Sequence, residues 1–218
     1  MRSLIVGGGH GLGAVVAAAL KGRGDDVLVL GRSESPTFDL EREETWGAAL
    51  PKVPWDNLIF CQRYRGEPDW RRELAVAALG PRKLVDYLTS SASPDGAAVV
   101  IVGSPAAAKI AGEQSVEYHM AKAALAQWVR FAAVEMGRRG IRVNLVTPAR
   151  LDRGGIDPGL VQATPLRRIS TNEDVADVIS FLCGPGSRCV TGQEIFVDGG
   201  LSLLAPANLV NFNLESTT

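Results

Sequence analysis

Leu4-Ile5-Val6-Gly7-Gly8-Gly9-His10-Gly11-Leu12-Gly13-Ala14-Val15-Val16 decides the fold. Three apolar, strand-favouring residues run straight into a cluster of glycines, and a helical pattern begins with no linker between. Leu12, Val15, Val16, Ala19 and Leu20 recur at i, i+3, i+4, i+7 and i+8, the period of a helix with one apolar face. Glycines between such a strand and helix have separate physical tasks: positive φ, close backbone approach to a pyrophosphate, and tight helix–strand contact. The helix N-terminus then offers unpaired N–H groups and partial positive charge to phosphate. Gly7-x-x-x-Gly11-x-Gly13 and Gly9-x-Gly11-x-x-Ala14 both fit that arrangement. Gly7, Gly9, His10, Gly11 and Leu12 are therefore expected to line a dinucleotide site. A flexible N-terminal turn is the plain alternative, and the strand before and helix after weigh against it.

Outward from this turn, short β-rich runs keep alternating with helical patterns. Strands are expected at Leu4–Val6, Val27–Leu30, Thr37–Leu40, Asn57–Cys61, Ala97–Val102, Ile141–Val146 and Glu194–Val197. Val99-Val100-Ile101-Val102 is apolar throughout, as in a parallel strand covered on both faces. Val175, Val178, Ile179 and Leu182 mark a late helix, entered through a capping box at Ser170-x-x-Glu173. The expected architecture is α/β, a doubly wound parallel sheet (Rossmann fold) of about seven strands, forming one domain over residues 1–218 with its cleft built in.

Composition narrows the function classes. The chain has 218 residues, 46% of them apolar, and a formal net charge of −1. Disorder does not fit that balance, and a sequence pI near 6.2 lacks the basic footprint of a nucleic-acid binder. Runs such as Ala14–Leu20 are far shorter than a membrane span requires, and Gly7–Gly11 would break the apolar segment of a secretion signal. Cys61, Cys183 and Cys189 make neither a disulfide framework nor a zinc spacing. A cytoplasmic location and no nucleic-acid or membrane partner are expected.

The end of the second strand usually chooses between NAD and NADP, an acid binding the ribose 2′-hydroxyl and an arginine accommodating the 2′-phosphate. Here Leu30-Gly31-Arg32-Ser33 carries no acid at its tip, and Asp25 and Asp26 precede the strand. Arg32 thus points to NADP(H), with His10 adding a basic group in the glycine turn. Glu34, just beyond, keeps NAD(H) open. A solvated loop arginine is the bland reading of Arg32.

Glu117–Arg139 reads as a long helix whose core-facing stripe is Tyr118, Lys122, Leu125, Val129, Ala132 and Met136. Tyr118 and Lys122 stand one turn apart on an otherwise aliphatic face. A core-facing lysine is costly without a partner or a task. One reading is a snorkelling lysine beside a packed tyrosine. The other is an acid–base pair, since a nearby ammonium favours a phenolate and lets it exchange protons near neutral pH.

With Ser104 just past Val102, the glycine turn and Tyr118-x-x-x-Lys122 resemble the short-chain dehydrogenase/reductase family. Ile141-Arg142-Val143-Asn144, Pro148, Pro165-Leu166, Glu173-Asp174-Val175-Ala176, Val190-Thr191-Gly192-Gln193 and Val197-Asp198-Gly199-Gly200 continue the resemblance to nearly the end of the chain. It implies an NADP(H)-dependent oxidoreductase interconverting a carbonyl and an alcohol on a small molecule. Tyr118 would be the general acid/base, Lys122 would favour its phenolate and hold the nicotinamide ribose, and Ser104 would hold the substrate oxygen. Further cofactor contacts implied are Asp39 and Leu40 near adenine, Cys61 beside the adenosine ribose, and Pro148 and Leu151 along the nicotinamide. The resemblance also implies a homodimer or homotetramer.

The chain departs from the family pattern in four places. Cys61-Gln62-Arg63-Tyr64 stands where Asn-Asn-Ala-Gly is usual, and the helix asparagine that supports a proton relay falls at Ala77. Ser104 lies fourteen residues before Tyr118, about one more than usual, which suggests a bulge that re-aims its hydroxyl. Cys61 follows Arg32 by only 29 positions, so the helix between strands two and three is expected to be missing or reduced, as in a shortened member. A short segment from Pro148 to Pro165 should form the lid, and Arg63, Arg65, Arg150 and Arg153 suggest an anionic group on the substrate. Two other functions stay open: a non-redox dehydratase or isomerase using the same site, and an NADP(H)-binding sensor without turnover.

Overall fold

A computed structural model describes residues 1–149, 151 and 158–204. Its strands are β1 (Arg2–Val6), β2 (Asp26–Leu30), β3 (Asn57–Phe60), β4 (Ala97–Val102), β5 (Ile141–Pro148) and β6 (Glu194–Val197). All pair in parallel in the order β2-β1-β3-β4-β5-β6. The helices between them are α1 (Gly11–Gly22), α2 (Trp46–Ala49), α3 (Trp70–Leu74), α4 (Gly80–Leu88), α5 (Val116–Gly137), α6 (Pro158–Ala163) and α7 (Asn172–Leu182). A π turn, Ala75–Leu79, joins α3 to α4 without a break in the chain's helical course.

The period-2 alternation of each strand sorts its side chains onto two cores. Leu4, Leu58, Phe60, Val99 and Ile101 pack under α4 and α5 with Leu84, Leu125 and Val129. Ile5, Ile59, Val100 and Val146 pack on the other face with Val16 and Leu20 of α1 and Val175 and Ile179 of α7. This is why the strands read as continuously apolar. Val6 pairs with Leu30 on one side and Phe60 on the other, so β1 lies inside the sheet and the crossovers diverge on either side of it. The divergence opens a crevice beyond the carboxyl ends of β1 and β3, the ligand position of this architecture.

Two expectations about elements need correction. Thr37–Leu40 is not a strand, so the sheet has six strands among the described residues. Its alternation reflects burial of Phe38 and Leu40 alone, while its N–H groups bond locally: Phe38 to the Gly31 carbonyl at 3.0 Å and Asp39 to Thr45 Oγ1 at 3.0 Å. The late capping box lies one residue on, with Thr171 as N-cap and Asp174 closing it reciprocally. Between β2 and β3 the outer helix is reduced to one turn, α2 with a 3-10 turn before it. Trp46 fills the space instead, stacked on Phe38 with ring centres 6.0 Å apart and its indole N–H donating to the Asp39 carbonyl at 2.8 Å. The cover is incomplete: Leu28 of β2 remains 36% exposed.

Candidate active site

A cavity of about 1030 Å³ opens at the crevice, and its wall begins with the glycine turn. Gly7 has φ +79°, and a Cβ there would meet Gln62 Cα and N at 2.8 Å. Gly13, in the first turn of α1, lies so close to the Gly7 carbonyl oxygen that a Cβ would collide with it. Gly11 has φ +57° and open space in front. His10 is the extended N-cap, its side chain caps nothing, and the first turn holds no acid. The helix N-terminus therefore faces the cavity with its N–H groups uncovered, and the bare backbone forms a cradle that a pyrophosphate fits.

Gly9 and Leu12 line the same wall, which continues past Arg32, Asp39 and Leu40. Arg32 is exposed and, among the described residues, makes no hydrogen bond or ion pair. Asp39 accepts from the Glu41 N–H at 3.0 Å, and Leu40 is buried against Gly80. Glu34 does not turn outward: its Oε1 lies 2.9 Å from where a Cβ on Gly9 would stand. Cys61 follows β3 and donates its backbone N–H to the Val6 carbonyl at 2.9 Å. Burial pushes its thiol up to about 12, so it is no ready nucleophile.

The opposite wall carries Ser104, Tyr118, Lys122, Pro148 and Leu151. Every residue singled out from the sequence for catalysis or cofactor contact thus lines one cavity. Arg150 and Arg153 lie outside the described residues; Arg63 and Arg65 line the cavity. Ser115 caps α5, accepting from the Tyr118 N–H at 3.3 Å, and His119 ties the preceding loop down by accepting from the Ala111 N–H at 2.9 Å. With Nε2 accepting, Nδ1 is the donor to the Ser115 carbonyl, 2.7 Å away. These contacts set where the phenol of Tyr118 stands. Ser104 leads into a 3-10 turn, Pro105–Ala107, and its hydroxyl oxygen accepts from the Ala106 N–H at 3.2 Å. Its hydroxyl proton remains free to donate.

Lys122 is buried, its ammonium donating to the Val102 carbonyl at 3.0 Å and lying 5.7 Å from the centre of the Tyr118 ring. Burial pulls Lys122 down to about 8, Glu73 opposes that fall, and Arg63 adds to it. Glu73 is itself buried in α3 and raised by desolvation, against the pull of Arg63 and Lys122. The Arg63 guanidinium carbon lies 5.0 Å from the Tyr118 ring centre, so one phenol has two cations beside it. Ala77 falls in the π turn as a buried methyl, with no polar atom to replace an asparagine. Gln62 instead donates to the Val76 carbonyl of that turn at 3.1 Å, leaving its buried Oε1 without a partner among the described residues. Sequence reasoning named Gln62 only as a departure from the family pattern, and it missed Gln114 in the wall and Glu73 behind it. An acid within an otherwise apolar helix face was the one signal for Glu73.

Comparisons with known proteins bear on the family and the fold. A family model described as enoyl-(acyl carrier protein) reductase matches residues 65–202. The 1-cyclohexenylcarbonyl-CoA reductase of Streptomyces collinus is 40% identical over 96 residues, 39% of this chain and 34% of that protein. The chain thus spans about a third of that relative's length. An uncharacterized oxidoreductase of Mycobacterium tuberculosis, MT0954, is 28% identical over 92% of this chain and 91% of its own. The 3-alpha-hydroxysteroid dehydrogenase from Pseudomonas sp. B-0831, solved in complex with NADH, superposes with a TM-score of 0.79 at 25% identity, covering 98% of this chain and 99% of that one.

Proposed function

The chain belongs to the short-chain dehydrogenase/reductase family, and from this premise we propose that it is an oxidoreductase interconverting a carbonyl and an alcohol on a small molecule using NADP(H). The observation that carries the reading is that Ser104, Tyr118 and Lys122 share one cavity with the glycine turn. A bound nicotinamide dinucleotide would supply or accept the hydride at carbon. Tyr118 then delivers the proton to the carbonyl oxygen in reduction and takes it back in oxidation. Ser104 donates a hydrogen bond to that oxygen, and Lys122 favours the phenolate and holds the nicotinamide ribose. Gly7, Gly9, His10, Gly11 and Leu12 would cradle the pyrophosphate, with Asp39, Leu40, Cys61, Pro148 and Leu151 lining the rest.

Arg32 supports NADP(H), because its guanidinium is unpaired among the described residues and suits a 2′-phosphate. Glu34 favours the second reading, NAD(H), since it is turned toward Gly9 and carries the acid that a 2′-hydroxyl takes. A homodimer or homotetramer fits the exposed Met120, Phe131 and Val134 along α5. The free thiols of Cys61, Cys183 and Cys189 suit a cytoplasmic setting, and no helix among the described residues is long and apolar enough to cross a membrane.

Tyr118→Phe tests the acid–base role. Turnover should fall roughly 10²–10⁴-fold while nucleotide affinity, read by fluorescence titration, changes little. A Phe variant that keeps more than half the wild-type rate overturns the assignment. Oxidation state of the nucleotide after turnover separates the alternatives: a dehydratase or isomerase would leave it unchanged, and a sensor would bind it without converting any of a carbonyl panel.

A further inference from the structure

We propose that the substrate is an oxo acid, with Arg63 as the residue that binds its carboxylate and Tyr118 acting on a carbonyl one or two bonds away; this rests on the carbonyl reductase reading above. Arg63 stands on the loop after β3, lines the cavity, and places its guanidinium carbon 5.0 Å from the centre of the Tyr118 ring. A carboxylate taken bidentately by a guanidinium sits with N–O separations of about 2.7–2.9 Å. A carbonyl one or two bonds from such a carboxylate would lie against the Tyr118 ring. Hydride would add to that carbonyl carbon and the Tyr118 proton to its oxygen, giving a hydroxy acid with the carboxylate unchanged.

The electrostatic surroundings leave Arg63 open to an anion. Its hydrogen bond within the protein goes to a neutral amide, Gln114 Oε1 at 2.7 Å, and no carboxylate lies within ion-pair distance of it among the described residues. Glu73 is close enough to feel its charge but lies buried in α3, behind the wall. Glu41, which also lines the cavity, is held by Arg72 at 2.9 Å, and Glu113 of the lining makes no ion pair with Arg63 among the described residues. The guanidinium's bond to Gln114 is already charge-assisted on one side; a carboxylate adds the opposite charge and a second, parallel N–H···O bond, which a neutral ketone does not. Gln114, on the loop leading to α5, remains placed to donate its amide N–H groups to the same carboxylate.

The test compares matched acids and esters in the nucleotide-loaded enzyme: phenylglyoxylate against methyl phenylglyoxylate, and acetoacetate against methyl acetoacetate. Wild type should prefer at least one acid by about 10–150-fold in kcat/KM. Arg63→Gln should bring that ratio close to one, and Arg63→Lys, a point charge without the fork, should keep only part of it. Calorimetric titration of the same acids into nucleotide-loaded wild type and Arg63→Gln gives a readout independent of turnover. Equal efficiency on acid and ester in wild type, or a ratio unchanged in Arg63→Gln, overturns the proposal while the reductase reading stands. Failure to turn over either class sinks the reductase reading, and the calorimetry still decides whether Arg63 binds the carboxylate. If Arg63→Gln weakens nucleotide binding as much as acid binding, Arg63 belongs to the cofactor and the proposal is wrong.

Discussion

The turn from Gly7 to Gly13 and the loop from Cys61 to Arg65 adjoin at the same crevice, yet they are built on opposite principles. The first works by lacking side chains: the Gly7 carbonyl occupies the space a Cβ on Gly13 would need, and Gln62 backbone occupies the space in front of Gly7. The second works through long side chains: Gln62 reaches the π turn, Arg63 reaches Tyr118 and Gln114, and the Tyr64 ring lies 5.0 Å from the Arg72 guanidinium. A backbone cradle tolerates almost no substitution because neighbouring main chain cannot swing aside. A side-chain wall can be rebuilt residue by residue and so is where an individual chemistry is written. Mutations should therefore be severe where main chain closes the turn, at Gly7 and Gly13, and moderate and separable in the wall.

Gly13→Ala should show the largest effect. The added methyl meets backbone, so no rotamer relieves it, and overpacking of this kind costs roughly 1–3 kcal/mol. The turn must open to admit it, and displacement of about 1 Å at a binding group can cost 10²-fold. Nucleotide affinity should drop by about that factor with a lowered Tm. Gly22→Ala is the internal control: it sits in the same helix with open space around it and should be neutral or slightly stabilising. Equal behaviour of the two variants would break the contrast between cradle and wall.

The same contrast explains what could be read from the chain beforehand. Strand–glycine–helix order is written in local spacing, so Gly7, Gly11 and Gly13 fall where their spacing put them. The short helix between β2 and β3 followed from counting residues between Arg32 and Cys61. Thr37–Leu40 misled because alternation records burial, and Phe38 is buried by stacking on Trp46 and Leu40 against Gly80, not by a neighbouring strand. The Glu73, Arg63 and Lys122 cluster was invisible because its members lie on α3, a loop and α5, and only tertiary packing brings them within electrostatic reach. Glu34 shows the same limit: its position past the strand was plain, its orientation toward Gly9 was not.

Arg32→Asp probes the seam between the two regions, where a side chain decides what the cradle accepts. A charged hydrogen bond contributes about 1.5–3 kcal/mol, roughly 10–150-fold in affinity. Wild type should bind NADPH at least tenfold more tightly than NADH, and the variant should lose most of that gap, as read by fluorescence titration of both cofactors. Equal affinities in wild type would assign the choice to Glu34, and Glu34→Gln would then be the variant that changes the ratio.

The smallest effect, and the finest test of the wall, concerns proton balance beside Tyr118. Lys122 is active in its charged form, and burial brings its titration down to about 8. The charged fraction therefore falls as pH rises through that value, and kcat/KM for reduction should decline on the alkaline side of about 8. Glu73 holds the ammonium up and Arg63 pushes it down. Removing the carboxylate charge in Glu73→Gln should move the alkaline limb to lower pH, and removing the guanidinium in Arg63→Gln should move it to higher pH. The two shifts have opposite sign, which no general loss of stability would produce. A pH profile that stays fixed in both variants would mean that the wall does not set the lysine's charge, and the alkaline limb would then belong to another group.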